Sequence, residues 1–402
     1  MVLTVQHGVN IAAAIILLSS LIVLLIHWPL SLRLNFKEKV LFAAMLCLPL
    51  IIALDVSVRD FRFRYFDFYA RFILALPIYF ACRQAVVSVK PFVTGLLIGS
   101  IGAGLLAIYQ WHYVDASNVH GYVIKISFGN ISLLLGMMSL ASLFLIRQYR
   151  YQKLFFISCL LAFAMGLVAS ALSGSRGGWV ALPFFIILFT LYFPTQKRTK
   201  LAGIFLLTSF MAMTYHSSAH VKSRVNLVSQ EMRHYFATDM QHHTQVLQTS
   251  SIGLRMEVWK AAWLIFQKHP FIGVGSGNFN TALQEKIAAG EVADIYIFDH
   301  AHNEPLHLMA ILGLLGVFGY AVLYGGLLYY FYQALISPHI EAQYLGFLGV
   351  MLVGANLIFG LSNYSFGHQV NVVFLAVMTM GIAGMISCFE QGHTGVDDLL
   401  RP

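Results

Sequence analysis

The chain has 402 residues, of which 58% are hydrophobic and only 10% are charged, and its mean hydropathy is +0.74. Because an ordinary soluble domain is about 25% charged, this composition excludes a soluble globular protein and predicts a polytopic membrane protein. The formal charge of +8 does not indicate nucleic-acid binding, since the basic residues are scattered between apolar runs.

The fold is predicted to be all-α, because backbone groups in lipid must pair within each spanning segment. A spanning helix needs about 20 apolar residues. About eleven runs fit this requirement, at residues 9–27, 40–56, 69–81, 92–111, 128–146, 154–172, 179–193, 201–215, 315–335, 345–361 and 370–389. A shorter apolar helix over 303–312 is predicted to enter the membrane only partway. The first run has no basic stretch before it and no small-residue cleavage site after it, so it is interpreted as a retained helix.

The orientation is predicted from the basic residues of the short loops. Alternating the spans places four basic groups on one side: Arg33, Lys37 and Lys39; Arg83 and Lys90; Arg147, Arg150 and Lys153; and Lys197, Arg198 and Lys200. That side is expected to be cytoplasmic, with the long loop and the N-terminus outside. A twelfth span would move the N-terminus inside.

One basic group departs from this pattern, because it falls outside: Arg59, Arg62, Arg64 and Arg71. Two explanations remain open. Either a span is miscounted, or an anionic partner outside makes these charges useful.

The chain is divided into a transmembrane bundle over 1–215, a large outside loop with amphipathic helices over 216–301, further transmembrane helices over 302–390 and a tail over 391–402. In the loop, apolar residues recur at three and four between Val221 and Met240, which predicts an amphipathic helix. A second helix is predicted over 254–268. The glycines between Gly273 and Asn278 precede no strand-helix unit, so they are interpreted as a flexible turn and not as a nucleotide site.

The chief candidate for chemistry is the polar stretch Asp299-His300-Ala301-His302-Asn303-Glu304-Pro305-Leu306. Asn303 is a good N-cap and Pro305 suits an early helical position, so a helix is predicted to begin near Asn303. His302 then stands at the helix mouth, where backbone N–H groups favour an anion such as phosphate. A neutral imidazole there is placed to take a proton from a hydroxyl. The alternative is that His300 and His302 only hydrogen-bond the loop.

A metal site is a further alternative for this stretch. However, His300 and His302 are two residues apart and His307 is five further on. This is not the i, i+4 spacing of a helical zinc motif, so no metal site is predicted. The four cysteines have no metal-binding or disulfide spacing and are interpreted as core residues.

Two arginines are candidate anion ligands. Arg176 lies in a tight, glycine-rich outside turn, where a guanidinium can grip phosphate with two donors, although snorkelling to the interface is the alternative. Arg255 lies near the start of the helix over 254–268, where a structural role would more naturally use an acidic residue. The alternative is that Arg255 is only a solvated surface charge. Asn363, Tyr364 and His368 lie in another outside turn, as additional cavity residues or as interfacial anchors.

Four segments together resemble the O-antigen ligase and polymerase superfamily. They are Ser-Gly-Ser-Arg-Gly-Gly-Trp around Arg176, Gly-Leu-Arg-Met-Glu-Val-Trp around Arg255, His-Pro-Phe-Ile-Gly-Val-Gly from His269, and His-Ala-His-Asn-Glu from His300 with the later Gly313-Leu314-Leu315-Gly316. The resemblance covers roughly residues 128–361. It implies a GT-C-like glycosyltransferase of the Gram-negative inner membrane, usually with twelve helices and a large periplasmic loop. The expected count for this chain is about 11–12 helices.

The resemblance also implies transfer of a glycan from undecaprenyl pyrophosphate, without metal or another cofactor. The first expectation is an inverting O-antigen ligase whose acceptor is a sugar hydroxyl of lipid A-core. His302 would be the base or would orient the acceptor, and Arg176 and Arg255 would hold the pyrophosphate. The expected supporting residues are His300, Asn303 and Glu304, and the expected ligands of acceptor phosphates are Arg59, Arg62 and Arg64.

Two other functions remain open. An O-antigen polymerase would extend lipid-linked repeats, and a small-anion transporter would use the same arginines. A transporter would place broken helices and charges at the midplane of paired repeats, whereas here the ionisable residues gather on the outer face. Membrane lipids are expected partners of any of the three.

Overall fold

The structure is a computed structural model that describes residues 2–28, 33–59, 62–85, 88–116, 118–175, 177–193 and 251–391. Several predictions lie outside the described residues. These concern Arg176, the basic group at Lys197, Arg198 and Lys200, the span over 201–215, the amphipathic helix between Val221 and Met240, and the tail after Gln391. The four-part division of the chain also stays a prediction.

Thirteen α-helices occur in the described residues, which contain no strand. They are α1 (Gly8–Ile26), α2 (Phe36–Val58), α3 (Phe63–Leu74), α4 (Leu76–Gln84), α5 (Val89–Tyr113), α6 (Lys125–Ala141), α7 (Gln152–Ser173), α8 (Leu182–Tyr192), α9 (Ser251–Lys268), α10 (Phe279–Ala288), α11 (Glu304–Leu335), α12 (Ile340–Gly360) and α13 (Gln369–Glu390). Three 3₁₀ turns join or extend them, at Ser142–Gln148, Gly177–Ala181 and Ser365–Gly367. The all-α prediction is confirmed.

Nine helical segments of the described chain are long and apolar enough to cross a membrane. One of them combines α3 and α4, and another combines α6 with the 3₁₀ turn that follows it. The shorter apolar helix Gly177–Tyr192 occupies the seventh predicted span. Each predicted span that lies in the described ranges therefore coincides with an apolar helix, and the protein is a polytopic membrane protein.

Basic residues that were predicted to be cytoplasmic meet at one end of the bundle. Lys37 at the start of α2 forms an ion pair with Glu390 at the end of α13. Arg83 at the end of α4 lies 3.8 Å from the buried carboxylate of Glu38. We call this end of the bundle the basic end.

The predicted polar stretch lies at the opposite end, where α2 and α12 finish and α11 and α13 begin. Asn10 at the start of α1 accepts a hydrogen bond from Gln369 at the start of α13. The N-terminus of α1 therefore lies at the same end as the polar stretch, as the count of eleven spans requires. Arg59 at the end of α2 is also at this end, so the structure agrees with the sequence-based placement of the unusual arginines.

The end of α2 is held against the glycine-rich segment that follows α9. Asp55 accepts hydrogen bonds from the backbone N and the Oγ of Ser276, at 2.8 and 2.7 Å. Arg59 lies 2.9 Å from Asp55 through Nε and donates through Nη2 to the carbonyls of Ile272 and Gly273, at 3.1 and 3.0 Å. The guanidinium is therefore engaged with its own chain.

Helix α11 is interrupted at Gly313, which has φ 62° and ψ −143°. The segment after α9 supplies partners for the backbone groups near this break. The N–H of Gly275 donates to the carbonyl of Ile311 at 2.8 Å, and the N–H of Leu314 donates to the carbonyl of Pro270 at 2.7 Å. The predicted short helix over 303–312 is the first part of this interrupted helix.

The segment that contains the glycines after α9 forms turns, as the sequence predicted. A Cβ on Gly273 would lie only 2.2 Å from the carbonyl carbon of Ile311, and Gly273 itself has φ +59°. The segment is therefore packed closely on α11. In sequence, a glycine required for close backbone packing looks the same as a glycine in a mobile turn, so this packing was not predicted.

Candidate active site

The mouth of α11 is built by Asn303 and His302, as the sequence predicted. Asn303 Oδ1 accepts from the backbone N of Leu306 at 3.0 Å, and its Nδ2 donates to the carbonyl of Leu361 at 2.9 Å. His302 has a left-handed backbone with φ 50°. This conformation costs a non-glycine residue about 1–3 kcal/mol, and it places the His302 ring outside the helix.

The imidazole rings gather around a tyrosine from a distant turn. The ring centroid of His300 lies 4.2 Å from that of His302, 5.3 Å from that of Tyr364 and 6.4 Å from that of His368. His307, in the first turn of α11, lies 4.2 Å from Tyr364. We call these five residues the imidazole cluster.

Glu304 holds the distant turn against the helix mouth. Its side chain is completely buried. Its Oε2 accepts from the backbone N of Ser365 and its Oε1 accepts from the backbone N of Phe366, both at 3.2 Å. Glu304 therefore joins the start of α11 to the turn that carries Tyr364 and His368.

Burial disfavours the protonated form of three histidines in the cluster and lowers the pKa of each. Burial, followed by the charges of His300, Arg255 and His368, lowers the pKa of His302 to about 4. Burial and the charge of His368 lower the pKa of His300 to about 4, and burial lowers the pKa of His368 as well. The Nδ1 of His302 is buried and has no hydrogen-bond partner among the described residues.

Arg255 lies on α9, which packs against α11. It is partly buried, and burial lowers the pKa of its guanidinium. After burial and His300, the positive charge of Arg255 is the next cause of the lowered pKa of His302. The structure therefore brings Arg255 and His302 to one site, whereas the third predicted member, Arg176, lies outside the described residues.

The three arginines predicted to bind acceptor phosphates lie at the same end of the bundle. Arg59 is engaged with Asp55 and the segment after α9, as described above. Arg64 is exposed, and its Nη2 donates to the hydroxyl of Tyr65 at 3.0 Å. Arg62 lines, with Arg59, a small cavity of about 40 Å³. Their role in binding stays a prediction.

The contribution of the turn after α12 to the site was not predicted from the sequence. Tyr364 and His368 were weighed mainly as interfacial anchors, but they complete the imidazole cluster, and the hydroxyl of Tyr364 lies 3.0 Å from that of Tyr69. Their outside position was the only signal available in the sequence. No group of three or more His, Cys, Asp or Glu residues in the described ranges is arranged to hold a metal ion, and metal independence stays a prediction.

The fold and the site together define a multi-pass membrane protein with a polar, partly buried site at the end of the bundle opposite the basic end. The sequence model of a family described as O-antigen ligase matches residues 161–321. The match contains Arg255, His300 and His302. This match supports a ligase-type or polymerase-type membrane protein whose family acts on lipid-linked polysaccharide.

A full-length relative comes from Haemophilus influenzae (strain Rd). It is 22% identical over 382 residues, which cover 93% of this chain and 92% of the relative. The relative is described only as an uncharacterized protein, so it extends the similarity over nearly the whole fold and assigns no activity.

Proposed function

We propose that the protein transfers O-antigen from undecaprenyl pyrophosphate to a sugar hydroxyl of lipid A-core, at the periplasmic face of the bacterial inner membrane. The observation that carries this proposal is the environment of His302. A neutral imidazole with an unpaired, buried Nδ1 stands at a helix mouth beside the charge of Arg255. This arrangement suits a hydroxyl that must lose a proton next to an anionic leaving group.

The proposed reaction is a single displacement. The acceptor hydroxyl attacks the anomeric carbon, the bond from that carbon to the pyrophosphate oxygen breaks, and the anomeric centre inverts. His302 accepts or orients the hydroxyl proton. Arg255, together with Arg176, stabilises the negative charge that develops on the departing pyrophosphate.

The low pKa of His302 is consistent with this role. His302 is a weak base because burial and nearby positive charge disfavour its protonated form. A pyrophosphate bound near Arg255 would favour the imidazolium and raise the pKa of His302. The base would then strengthen only when the donor is bound.

The orientation of the bundle supports a periplasmic site. Lys37 and Arg83 lie at the basic end, and short loops rich in Lys and Arg are normally cytoplasmic. His302 lies at the other end. A periplasmic site would meet a lipid-linked glycan and the lipid A-core without any nucleotide-sugar donor.

The deciding experiment incubates the purified protein with undecaprenyl-pyrophosphate-linked glycan, with and without lipid A-core. A ligase forms product only when the core is present. Chain growth without the core would show a polymerase, and anion flux in proteoliposomes without glycan transfer would show a transporter. A parallel reaction with a chelator tests metal independence, which predicts unchanged product.

His302→Ala should abolish transfer and leave lipid-linked glycan unused. The matched control is His339→Ala, because His339 is exposed and lies at the start of α12, at the basic end. The control should keep full activity. Full ligation by a stably folded His302→Ala variant would show that His302 is not required for the reaction.

A further inference from the structure

A groove runs between α1, α3, α4 and α13. Its cavity has a volume of about 180 Å³. An apolar cavity of about 150 Å³ takes up benzene, so this groove accommodates a chain segment of about six carbons. One wall, Ala14, is exposed, which means that the groove opens laterally at the surface of the bundle.

The groove is polar at one end and apolar at the other. Asn10, Arg71 and Gln369 line the end nearer the candidate active site. Leu17, Ile78 and Val377 line it seven or eight residues further along the same three helical paths. At about 1.5 Å per residue, the apolar part lies about 10 Å deeper in the bundle. This order matches an amphiphile whose head lies at the membrane interface and whose chain lies in the hydrocarbon.

At the polar end, only one of the two terminal nitrogens of the Arg71 guanidinium is paired. Its Nη2 lies 2.8 Å from Asp67, and the two side chains are 16% and 44% exposed. Its Nη1 is buried and has no hydrogen-bond partner among the described residues. An unpaired, buried guanidinium nitrogen is costly, and a phosphate oxygen would satisfy it with a charge-assisted hydrogen bond.

Asp67 identifies the rest of the head group. It precedes Arg71 by one helical turn on α3, so it lies about 6 Å nearer the membrane surface. A ligand that runs outwards from the groove therefore meets apolar side chains first, then a positive charge and then a negative charge. An acyl chain, a phosphate and a primary ammonium follow one another in the same order in phosphatidylethanolamine.

We propose that this groove binds one glycerophospholipid with a phosphoethanolamine head, its acyl chain beside Leu17 and Val377, its phosphate on Arg71 and its ammonium on Asp67. The occupant is a membrane lipid and not the glycan donor, because the carboxylate of Asp67 beside Arg71 suits a head group that carries an ammonium, which a pyrophosphate lacks. None of the residues that line the groove belongs to the imidazole cluster. The proposal therefore does not rest on the proposed function.

The test is native mass spectrometry of the purified full chain with phosphatidylethanolamine, phosphatidylglycerol and phosphatidylcholine that have identical acyl chains. We expect one tightly held phosphatidylethanolamine, bound about fivefold more tightly than the other two, the scale of a partly exposed ion pair. Equal binding of the three lipids would contradict the proposal and show only a nonspecific lipid belt.

Two variants test the two parts of the groove. Asp67→Asn removes the ammonium partner and leaves Arg71, so it should abolish the preference over phosphatidylglycerol, whereas Asp294→Asn on the exposed outer loop should keep it. Ala14→Trp fills the groove from its exposed wall, so it should release the lipid. Retention of the lipid in Ala14→Trp, or an unchanged preference in Asp67→Asn, would contradict the assignment. Unchanged helical content by circular dichroism shows that each variant is folded.

Discussion

The Oε1 of Glu304 accepts a hydrogen bond from the backbone N–H of Phe366 at 3.2 Å, across 62 residues of sequence. Its other oxygen accepts from Ser365. This buried carboxylate fixes the turn that brings Tyr364 and His368 to His300. The arrangement of the imidazole cluster therefore depends on a residue that does not itself carry the proposed chemistry.

Glu304→Gln should destabilise the protein, because an amide offers one oxygen where two backbone N–H groups need acceptors. One orphaned buried donor costs about 1–3 kcal/mol. We expect a lower Tm in detergent and a reduced rate of glycan transfer, since His368 would lose its fixed position. The control is Glu285→Gln, which changes an exposed glutamate on α10. Equal Tm values for the two variants would show that the Glu304 contacts are not significant.

Gly313→Ala should be strongly destabilising. The residue has φ +62°, and a Cβ there would lie 2.5 Å from the carbonyl O of Pro270 and 2.5 Å from the carbonyl C of Phe271. The backbone strain and the displacement of neighbouring backbone together cost roughly 3 kcal/mol or more. We expect poor yield or a large fall in Tm.

Gly325→Ala is the matched control on the same helix. A Cβ at Gly325 would meet nothing within 4 Å, and alanine is favoured over glycine in a helix interior by about 0.5–1 kcal/mol. This variant should fold at least as well as the wild type. Similar stability of the alanine variants at 313 and 325 would disprove the packing role of Gly313.

The start of α11 was predictable from sequence because its causes are local. The cap of Asn303 is formed with Leu306, only three residues away. The pairing of Asp55 with Arg59 is also local, at i, i+4, and could have been predicted from the spacing alone. Apolar run length was sufficient for the spans because lipid imposes one requirement on all of them.

The long-range parts of the site could not be predicted in this way. From the sequence, Glu304 could have been an exposed acid in the first turn of the helix. In the structure it is a buried acceptor of two backbone hydrogen bonds. Tyr364 gave no sign that it would meet His307. Both outcomes depend on how α12 and α13 pack around α11, and a single sequence does not contain that relationship in any short spacing.

The stability of the site should fall in acid. Burial depresses the pKa of both His300 and His302 from about 6.5 in the unfolded chain to about 4. Below pH 6.5 the unfolded state therefore binds more protons than the folded state, and stability falls as the pH drops from 6.5 to 4. The slope is at most about 1.4 kcal/mol per pH unit for each histidine, and partial exposure reduces it.

Thermal unfolding between pH 4 and pH 7.5 measures this effect. His302→Gln keeps a polar side chain of similar size that does not titrate. The Tm of this variant should therefore fall less steeply than that of the wild type as the pH is lowered. An identical pH dependence in the wild type and in His302→Gln would show that His302 is protonated as easily in the folded state as in the unfolded state.

Arg255 should affect both the rate of transfer and its pH dependence. Loss of a preorganised donor to developing negative charge typically costs 10²–10³ in rate, so Arg255→Ala should lower kcat by about this factor. Because the charge of Arg255 lowers the pKa of His302, Arg255→Ala should also shift the acidic limb of the pH profile to higher pH.

Arg255→Lys keeps the charge and loses the two-pronged fork, so it should keep the limb near its wild-type position while still lowering kcat. Lys268→Ala, an exposed residue at the end of the same helix, should change neither quantity. If Arg255→Ala lowered the rate without moving the acidic limb, Arg255 would act on the donor alone and its coupling to His302 would be refuted.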